Sequence, residues 1–180
     1  MRSLILKMHI SVDGFVAGAD GAIDWIFKTT DPEGRAWTVE TISNAGAHLM
    51  GSRTFRDMAA YWPKASDAFA APMNEIPKVV FSNSLTSADW PETTIATGDL
   101  AEAVTRLKQE RSGGYLLAQA GVRFARSLVA TGLIDEYRLV VHPIVFGTGE
   151  RLFTTPLAVE PMSTTAFSGG IVAHVFAARR

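Results

Sequence analysis

Short apolar runs alternate with segments of helical periodicity along most of this chain. The runs of four to eight apolar residues are typical of buried strands. They predict strands over residues 4–10, 47–50, 78–81, 93–96, 115–118 and 136–141. Apolar residues spaced three and four apart predict helices over residues 32–44, 54–61, 100–110 and 122–131. This order predicts an α/β fold on a mixed, mostly parallel central sheet, with helices on both faces.

Residues with known positional preferences support these boundaries. Asp31 and Asp99 stand where N-caps are expected, and Gly132 stands at a typical helix C-terminus. Between residues 11 and 24 the chain is rich in glycine and aspartate, which predicts a loop. At the other end, Ser168-Gly169-Gly170 separates two further strand-like segments, which predicts a C-terminal antiparallel hairpin over residues 159–167 and 171–177.

The composition narrows the classes of function. The chain is 47% apolar and 19% charged, and its 180 residues suit one domain over residues 1–180. A net charge of −1 without a basic stripe disfavours nucleic acid and anionic membranes as partners. The absence of cysteine excludes disulfides, thiolate nucleophiles and Cys-ligated zinc, and the four histidines lack metal-ligand spacing. Because no apolar run suits a signal peptide or a membrane span, we expect a cytoplasmic protein. The absent cysteines and the histidine spacing lead us to expect no bound metal.

Three predicted strands end at small or polar residues, in Gly51-Ser52-Arg53-Thr54, Ser82-Asn83-Ser84 and Gln119-Ala120-Gly121. In open α/β sheets, the carboxyl ends of strands and the helix N-termini beside them form the ligand crevice. These turns therefore predict a site for a phosphorylated ligand, most economically a dinucleotide. Simpler interpretations stay open: a capped helix with a solvated arginine for the first turn, and ordinary turn chemistry for the others.

Two carboxylates early in the chain are the catalytic candidates. Asp13 precedes Gly14 directly after the first predicted strand, where it can orient a substrate amine or hydroxyl, or merely stabilise a turn. Asp24 precedes Trp25, a pair that can meet a heteroaromatic ring or anchor a loop. We take Asp13 and Asp24 as catalytic candidates, with Asp24 placing a proton or a water. Asp13, Gly14 and Trp25 are the substrate-binding candidates.

Taken in order, these motifs resemble the reductase domain of riboflavin biosynthesis, a relative of dihydrofolate reductase. The resemblance rests on residues 11–17 with Asp20-Gly21 and Asp24-Trp25, on the turn at residues 51–55, and on residues 133–138 with 143–149. It extends from about residue 3 to residue 177. Because the chain has no cysteine, it can match only the reductase half of the related bifunctional enzyme, whose deaminase half binds zinc through His and Cys.

The resemblance implies a three-layer dihydrofolate-reductase-like fold, NADPH as hydride donor, a small heterocyclic or sugar-linked substrate, and a homodimer. It implies that Val12 borders the nicotinamide and that Asp13 and Gly14 face the substrate. The phosphate contacts would come from Gly51, Ser52, Arg53 and Thr54. The adenosine 2′-phosphate would lie near Phe81, Ser82 and Asn83, and the pyrophosphate near Ala120, Gly121 and Val122.

Two alternatives stay open. One is dihydrofolate reduction proper, which relies on a helix carboxylate, with Glu33 and Glu40 as the candidates by position. The other is a non-catalytic NADP(H)-binding protein, such as a dimeric sensor.

Overall fold

The structure is a computed structural model that describes residues 1–111, 113–119 and 121–179. Its centre is an eight-stranded sheet of β1 (Leu4–Ser11), β3 (Ala45–Gly51), β4 (Lys78–Phe81), β5 (Thr93–Ala96), β6 (Tyr115–Gln119), β7 (Glu136–His142), β9 (Val159–Ala166) and β10 (Val172–Ala178). Two short strands, β2 (Phe15–Ala17) and β8 (Glu150–Arg151), form a separate antiparallel pair.

The helices are α1 (Asp24–Thr29), α2 (Pro32–Ser43), α3 (Ser52–Tyr61), α4 (Ala70–Glu75), α5 (Leu100–Gln109) and α6 (Val122–Thr131), with a single 3₁₀ turn at Trp62–Lys64. Within the described ranges, none of them combines the length and the apolarity that crossing a membrane requires. The predicted longer helices and strands lie within about two residues of these bounds. The sequence did not predict α1, β2 or β8; β2 and β8 pair across the length of the chain, Phe15 lying opposite Arg151.

The handedness of the connections sorts the helices into two layers. The strand order is β5-β4-β3-β6-β1-β7-β10-β9. The first six strands in this order pair in parallel, and β10 pairs antiparallel with both of its neighbours. Connections that move toward β5 place α2, α3 and α4 on one face, and those that move toward β7 place α5 and α6 on the other. Right-handed crossovers require this arrangement.

Each face of the sheet has its own apolar core, because successive strand residues point to opposite faces. Leu4, Leu6, Leu116 and Ala118 pack with Val104 of α5 and Leu128 of α6. Ile5, Met50 and Leu117 pack with Ile42 of α2, Phe55 of α3 and Met73 of α4. The fold therefore has three layers, as the sequence predicts.

A buried lysine ties α4 to the sheet. Lys78 is fully buried at the start of β4, and its ammonium donates to the carbonyls of Met73 (3.2 Å), Asn74 (2.7 Å) and Ile76 (2.9 Å). It also lies 4.6 Å from the centre of the Trp90 ring. The last carbonyls of a helix have no partner within the helix, so the ammonium supplies the missing donors. Burial lowers the pKa of Lys78 to about 8.

The outer strand β9 is exposed along most of its length. Pro161 lies within it, opposite Phe176 of β10, and the β9–β10 register shifts beside this pair. Proline lacks an N–H and is tolerated in sheets at edge strands and bulges, which is where this one lies.

We predict that Lys78→Met destabilises the protein, because the carbonyls of Met73, Asn74 and Ile76 lose their donor. The free energy of unfolding should fall by about 1–3 kcal/mol, as measured by urea denaturation. Lys64→Met is the matched control, since Lys64 is exposed and should change the unfolding free energy little. Equal effects of the two substitutions would contradict the capping role of Lys78.

Candidate functional site

The carboxyl ends of β3 and β6 form the point where the chain connections diverge. β6 pairs in parallel with β3 on one side and with β1 on the other. From these two adjacent ends the chain continues into α3 on one face of the sheet and into α6 on the opposite face. Such a divergence opens a crevice at the carboxyl edge, which is where α/β proteins of this kind bind their ligands.

The two helices at this crevice begin without side-chain caps. Their N-cap residues are Gly51 for α3 and Gly121 for α6, and the described structure shows no side-chain cap hydrogen bond at either. By contrast, Asp31 caps α2 and Asp99 caps α5, as the sequence predicts. The first N–H groups of α3 and α6 therefore remain mostly available to an anion.

Direct contacts hold the strand ends together. The Gly121 N–H donates to Thr54 Oγ1 over 3.0 Å, which joins the start of α6 to the first turn of α3. A Cβ at Gly51 would lie only 3.3 Å from the Cβ of Phe124, so the backbone of β3 approaches α6 closely. The rings of Phe81, which ends β4, and Phe124 lie 5.2 Å apart. The structure thus brings the predicted turns to one edge of the sheet.

Two arginines stand in the first turns of these helices. Arg53 of α3 and Arg123 of α6 are exposed, and neither forms an ion pair within the part of the chain that the structure describes. A cation at a helix N-terminus opposes the helix dipole, so stability does not explain their position. A bound anion would explain it. The sequence analysis missed Arg123, although its place directly after a strand-to-helix turn is the signal that identified Arg53.

The end of β4 contributes polar atoms that already stabilise a turn. Ser82 Oγ accepts from the N–H groups of Leu85 (3.0 Å) and Ser84 (3.2 Å), and Asn83 Oδ1 accepts from the Gly98 N–H (2.9 Å). These bonds match the simpler interpretation of the sequence, that of turn chemistry. The exposed Asn83 amide group remains a donor at this edge.

The end of β1 presents an apolar side chain to the same edge. Val12 is 62% exposed, and its N–H donates to the Ile144 carbonyl over 2.9 Å. Gly14 follows with a φ of +83°, a conformation that strongly favours glycine, and its N–H closes the turn on the Ser11 carbonyl. β1 therefore ends in a tight turn that exposes Val12.

Asp13 holds a second loop against this turn. Its carboxylate accepts from the Ser11 hydroxyl (2.6 Å) and from the N–H groups of Phe146 (3.2 Å) and Gly147 (2.7 Å). The Ser11 hydrogen bond, followed by those from Gly147 and Phe146, lowers the pKa of Asp13. The group is therefore ionised at neutral pH and acts as an acceptor, without a proton to donate.

Asp24 and Trp25 begin α1, and none of their described side-chain contacts reaches the turns at residues 51–54, 82–84 or 121. Asp24 is exposed and pairs with Lys28 one turn along α1, and this hydrogen bond and charge lower its pKa. Trp25 is buried, with its ring 5.0 Å from that of His142 and 5.4 Å from that of Phe146. An ionised Asp24 has no proton to donate but can still place a water, and the buried indole packs against Phe146, whose N–H binds Asp13. Ala120 lies outside the described residues.

A second groove, of about 670 Å³, opens at the amino edge of the sheet. Two of its lining arginines pair with lining carboxylates, Arg2 with Glu110 at 3.6 Å and Arg138 with Glu136 at 2.6 Å, while the exposed Arg111 has no ion pair among the described residues. Since carboxylates line this groove and neutralise two of its cations, it offers less to an anion than the carboxyl edge does. We therefore place the candidate site at the carboxyl edge.

Comparison with known proteins gives the class of the fold. The structure resembles dihydrofolate reductase from Enterococcus faecalis complexed with NADP(H), with a TM-score of 0.67 and 12% identity over 99% of this chain and 97% of that one. A Shewanella sp. PV-4 protein whose name refers to riboflavin biosynthesis matches with a TM-score of 0.80 and 19% identity over 99% of both chains. The fold is therefore of the dihydrofolate-reductase type, as predicted.

The sequence itself identifies the family. The chain belongs to the RibD C-terminal domain family, whose pattern it matches over residues 2–173. This family is a reductase domain, so the chain is assigned generally to the oxidoreductases. The uncharacterized protein YyaP of Bacillus subtilis (strain 168) is 27% identical over 183 residues, which cover 97% of this chain and 94% of that protein. The predicted family is confirmed.

We predict that the amide signal of Gly147 titrates with Asp13. Because the pKa of Asp13 is lowered, its hydrogen bond to this amide should persist at neutral pH and be lost only as the pH falls through that lowered pKa. NMR spectra of the amide between pH 2 and 7 measure the midpoint, which should lie below 3.8, the ordinary pKa of an aspartate side chain. Asp13→Asn should abolish the titration; a midpoint above 3.8 would contradict the described contacts.

Proposed function

We propose that this protein is an NADPH-dependent reductase, similar in reaction to the riboflavin-pathway reductases of its family. The observation that carries the proposal is the pair of helix starts at the crevice, each with a glycine N-cap and an exposed arginine that has no ion pair among the described residues. Helix N–H groups and guanidinium groups both form charge-assisted hydrogen bonds with phosphate. NADPH carries a pyrophosphate and a separate 2′-phosphate, so it has an anionic group for each of two neighbouring anion-binding positions.

Each strand end is expected to contact its own part of the coenzyme. Val12, exposed at the end of β1, borders the nicotinamide. The start of α3 takes phosphate through Gly51, Ser52, Arg53 and Thr54. The start of α6 takes the pyrophosphate through Ala120, Gly121 and Val122, to which we add Arg123 because it is exposed in the same helix turn. The end of β4 faces the adenosine 2′-phosphate with Phe81, Ser82 and Asn83.

The substrate is a small molecule with a C=N or C=O bond, heterocyclic or sugar-linked, close to 5-amino-6-(5-phosphoribosylamino)uracil in class. NADPH supplies the hydride when it is bound. The chain contributes mainly proximity and orientation. In this proposal Asp13 keeps the loop at Phe146 and Gly147 beside Gly14, and so shapes the substrate side of the crevice.

Dihydrofolate reduction is less well supported. It relies on a helix carboxylate that faces the substrate, but Glu33 and Glu40 are both exposed on α2. Glu33 accepts instead from the N–H of Ser168 in the β9–β10 turn, over 3.0 Å. A nucleotide-binding sensor remains the other outcome of the test below.

We also propose that the protein forms a homodimer through the region around β9. Met162 in this strand is 60% exposed and Leu157 just before it is 41% exposed. Exposed apolar side chains on an outer strand support an interface. Analytical ultracentrifugation of the wild type measures the oligomeric state directly.

The function is tested by titrating the protein with NADPH, followed through coenzyme fluorescence, and then by a substrate panel led by the ribosylated pyrimidine intermediate of riboflavin synthesis. Saturable NADPH binding with substrate-dependent oxidation is the expected result. Binding without oxidation of NADPH by any member of the panel would favour the sensor, and tight methotrexate binding would favour dihydrofolate reductase. Absence of NADPH binding would overturn the proposal.

We predict that Arg53→Ala weakens NADPH binding far more than NADH binding. The start of α3 lies beside the end of β4, where Gly51 is in register with Phe81, so Arg53 is expected to contact the 2′-phosphate that only NADPH carries. One charge-assisted contact contributes about 1.5–3 kcal/mol, which is roughly a tenfold to hundredfold change in Kd. Arg56→Ala is the control, since Arg56 is exposed one turn further along α3. Equal losses for the two coenzymes would remove Arg53 from the 2′-phosphate.

A further inference from the structure

One of the three buried lysines among the described residues lacks the partners that the other two have. Lys78 donates to three carbonyls, and Lys108 donates to the Leu133 carbonyl and pairs with Asp135. Lys7, in the middle of β1, is 5% exposed, and the described contacts of its Nζ consist of His9 Nε2 at 2.7 Å. A buried amine with so few acceptors costs stability, so its presence calls for a functional explanation.

Lys7 begins a chain of hydrogen bonds. His9 Nδ1 lies 2.8 Å from His142 Nε2, and His142 Nδ1 lies 2.6 Å from Thr29 Oγ1. Thr29 Oγ1 lies 2.7 Å from the Trp25 carbonyl. Burial lowers the pKa of His9 well below its ordinary value and that of His142 to about 4, with the Lys7 charge adding to both effects. Both imidazoles are therefore neutral at pH 7, with one N–H each.

The carbonyl at the end of the chain sets the direction of every bond. A carbonyl can only accept, so the Thr29 hydroxyl donates to Trp25 and accepts from His142 Nδ1–H. His142 Nε2 must then accept from His9 Nδ1–H. His9 Nε2 is left as an acceptor, and Lys7 donates to it. Every imidazole nitrogen of His9 and His142 is thus used in this hydrogen-bond chain. At its Lys7 end, the amino group still has further N–H donors.

This free end lies directly below the crevice. Lys7 is in register with Gln119, the last residue of β6, on the face of the sheet that carries α2. Gln119 immediately precedes the turn into α6 at the proposed coenzyme site. His142 is in register with Ser11 at the end of β1. The hydrogen-bond chain from Lys7 to His142 therefore extends along the sheet beneath the carboxyl edge.

No carboxylate among the described groups compensates the Lys7 charge. Arg138 lies beside Lys7 on β7, and its guanidinium binds Glu136, Thr41 and Tyr115. The charged residues of α2 are exposed: Glu33 accepts from Ser168, Arg35 pairs with Asp67, and Glu40 lies outside the core. On β1 and β7 the remaining titratable neighbours are His9 and His142. Burial in these surroundings lowers the pKa of Lys7 to about 7.

We propose that Lys7 donates the proton that accompanies hydride transfer to the substrate, with His9 and His142 as positioning residues. This inference rests on the proposed reductase function. In the step, the C=N or C=O carbon of the substrate receives the hydride and its nitrogen or oxygen takes a proton from the Lys7 ammonium. NADPH becomes NADP⁺, Lys7 becomes a neutral amine, and solvent returns the proton. Asp13 and Asp24 are ionised at neutral pH and cannot fill this role.

The test begins with the pH dependence of kcat in the wild type. A general acid must be protonated to act, so kcat should fall as the pH rises through about 7, the pKa of Lys7. Lys7→Met should lower kcat roughly 10²- to 10⁴-fold and remove this pH dependence. The Kd for NADPH should change less than about threefold, because the phosphate contacts are untouched. Lys7→Arg should lose kcat similarly, since arginine keeps its proton.

Thermal melting provides a readout without substrate. Lys7→Met replaces a poorly compensated amine and should leave Tm unchanged or raised, whereas Lys78→Met should lower it. The NMR signal of Lys7 Cε should titrate near pH 7 in the unliganded wild type. A Lys7→Met protein that melts like Lys78→Met, or that keeps wild-type kcat and pH profile, would overturn the inference alone. A wild type that oxidises no NADPH would overturn the proposed function, and the inference with it.

Discussion

The right-handed crossover between parallel strands is the constraint on which the rest of this structure depends. Because β3 continues toward β5 and β6 continues toward β7, their following helices must lie on opposite faces of the sheet. The divergence leaves two helix starts at one edge, joined by the Thr54–Gly121 hydrogen bond. Segments some 70 residues apart in sequence thus form one polar surface. The site follows from the topology more than from any single motif.

The two faces of the sheet differ in the polarity of their buried residues. The face under α5 and α6 is apolar, with Leu4, Leu6 and Leu116 fully buried. The face under α2 combines an apolar cluster with buried Lys7, His48, Gln119 and His142. Buried polar groups cost free energy unless they are hydrogen-bonded, so this second face depends on the hydrogen bonds of these side chains as well as on apolar packing. Its polar residues lie below the carboxyl edge, where the proposed chemistry takes place.

The sequence predicted what local pattern determines. The long strands and helices, the Asp31 and Asp99 caps and the glycine at residue 132 all depend on neighbouring residues, and the structure has them close to their predicted places. β2 and β8 could not be predicted because each is too short to form without the other, and Phe15 and Arg151, which pair in them, are 136 positions apart in the sequence. The three turns could be found because each is contiguous. The Lys7–His9–His142 hydrogen-bond chain could not be predicted, because the bond between His9 and His142 joins β1 to β7 and no spacing in the sequence indicates this contact.

Pro161 and the register shift beside it bear on how copies of this chain can associate. An outer strand with regular free N–H groups is a template for adding a further strand, and repeated addition leads to fibrils. A residue without an N–H, placed at an irregularity, interrupts that template. The four-residue β5 offers little length for such growth at the opposite edge. Any association through β9 is therefore expected to use its side chains, with self-propagating sheet growth suppressed.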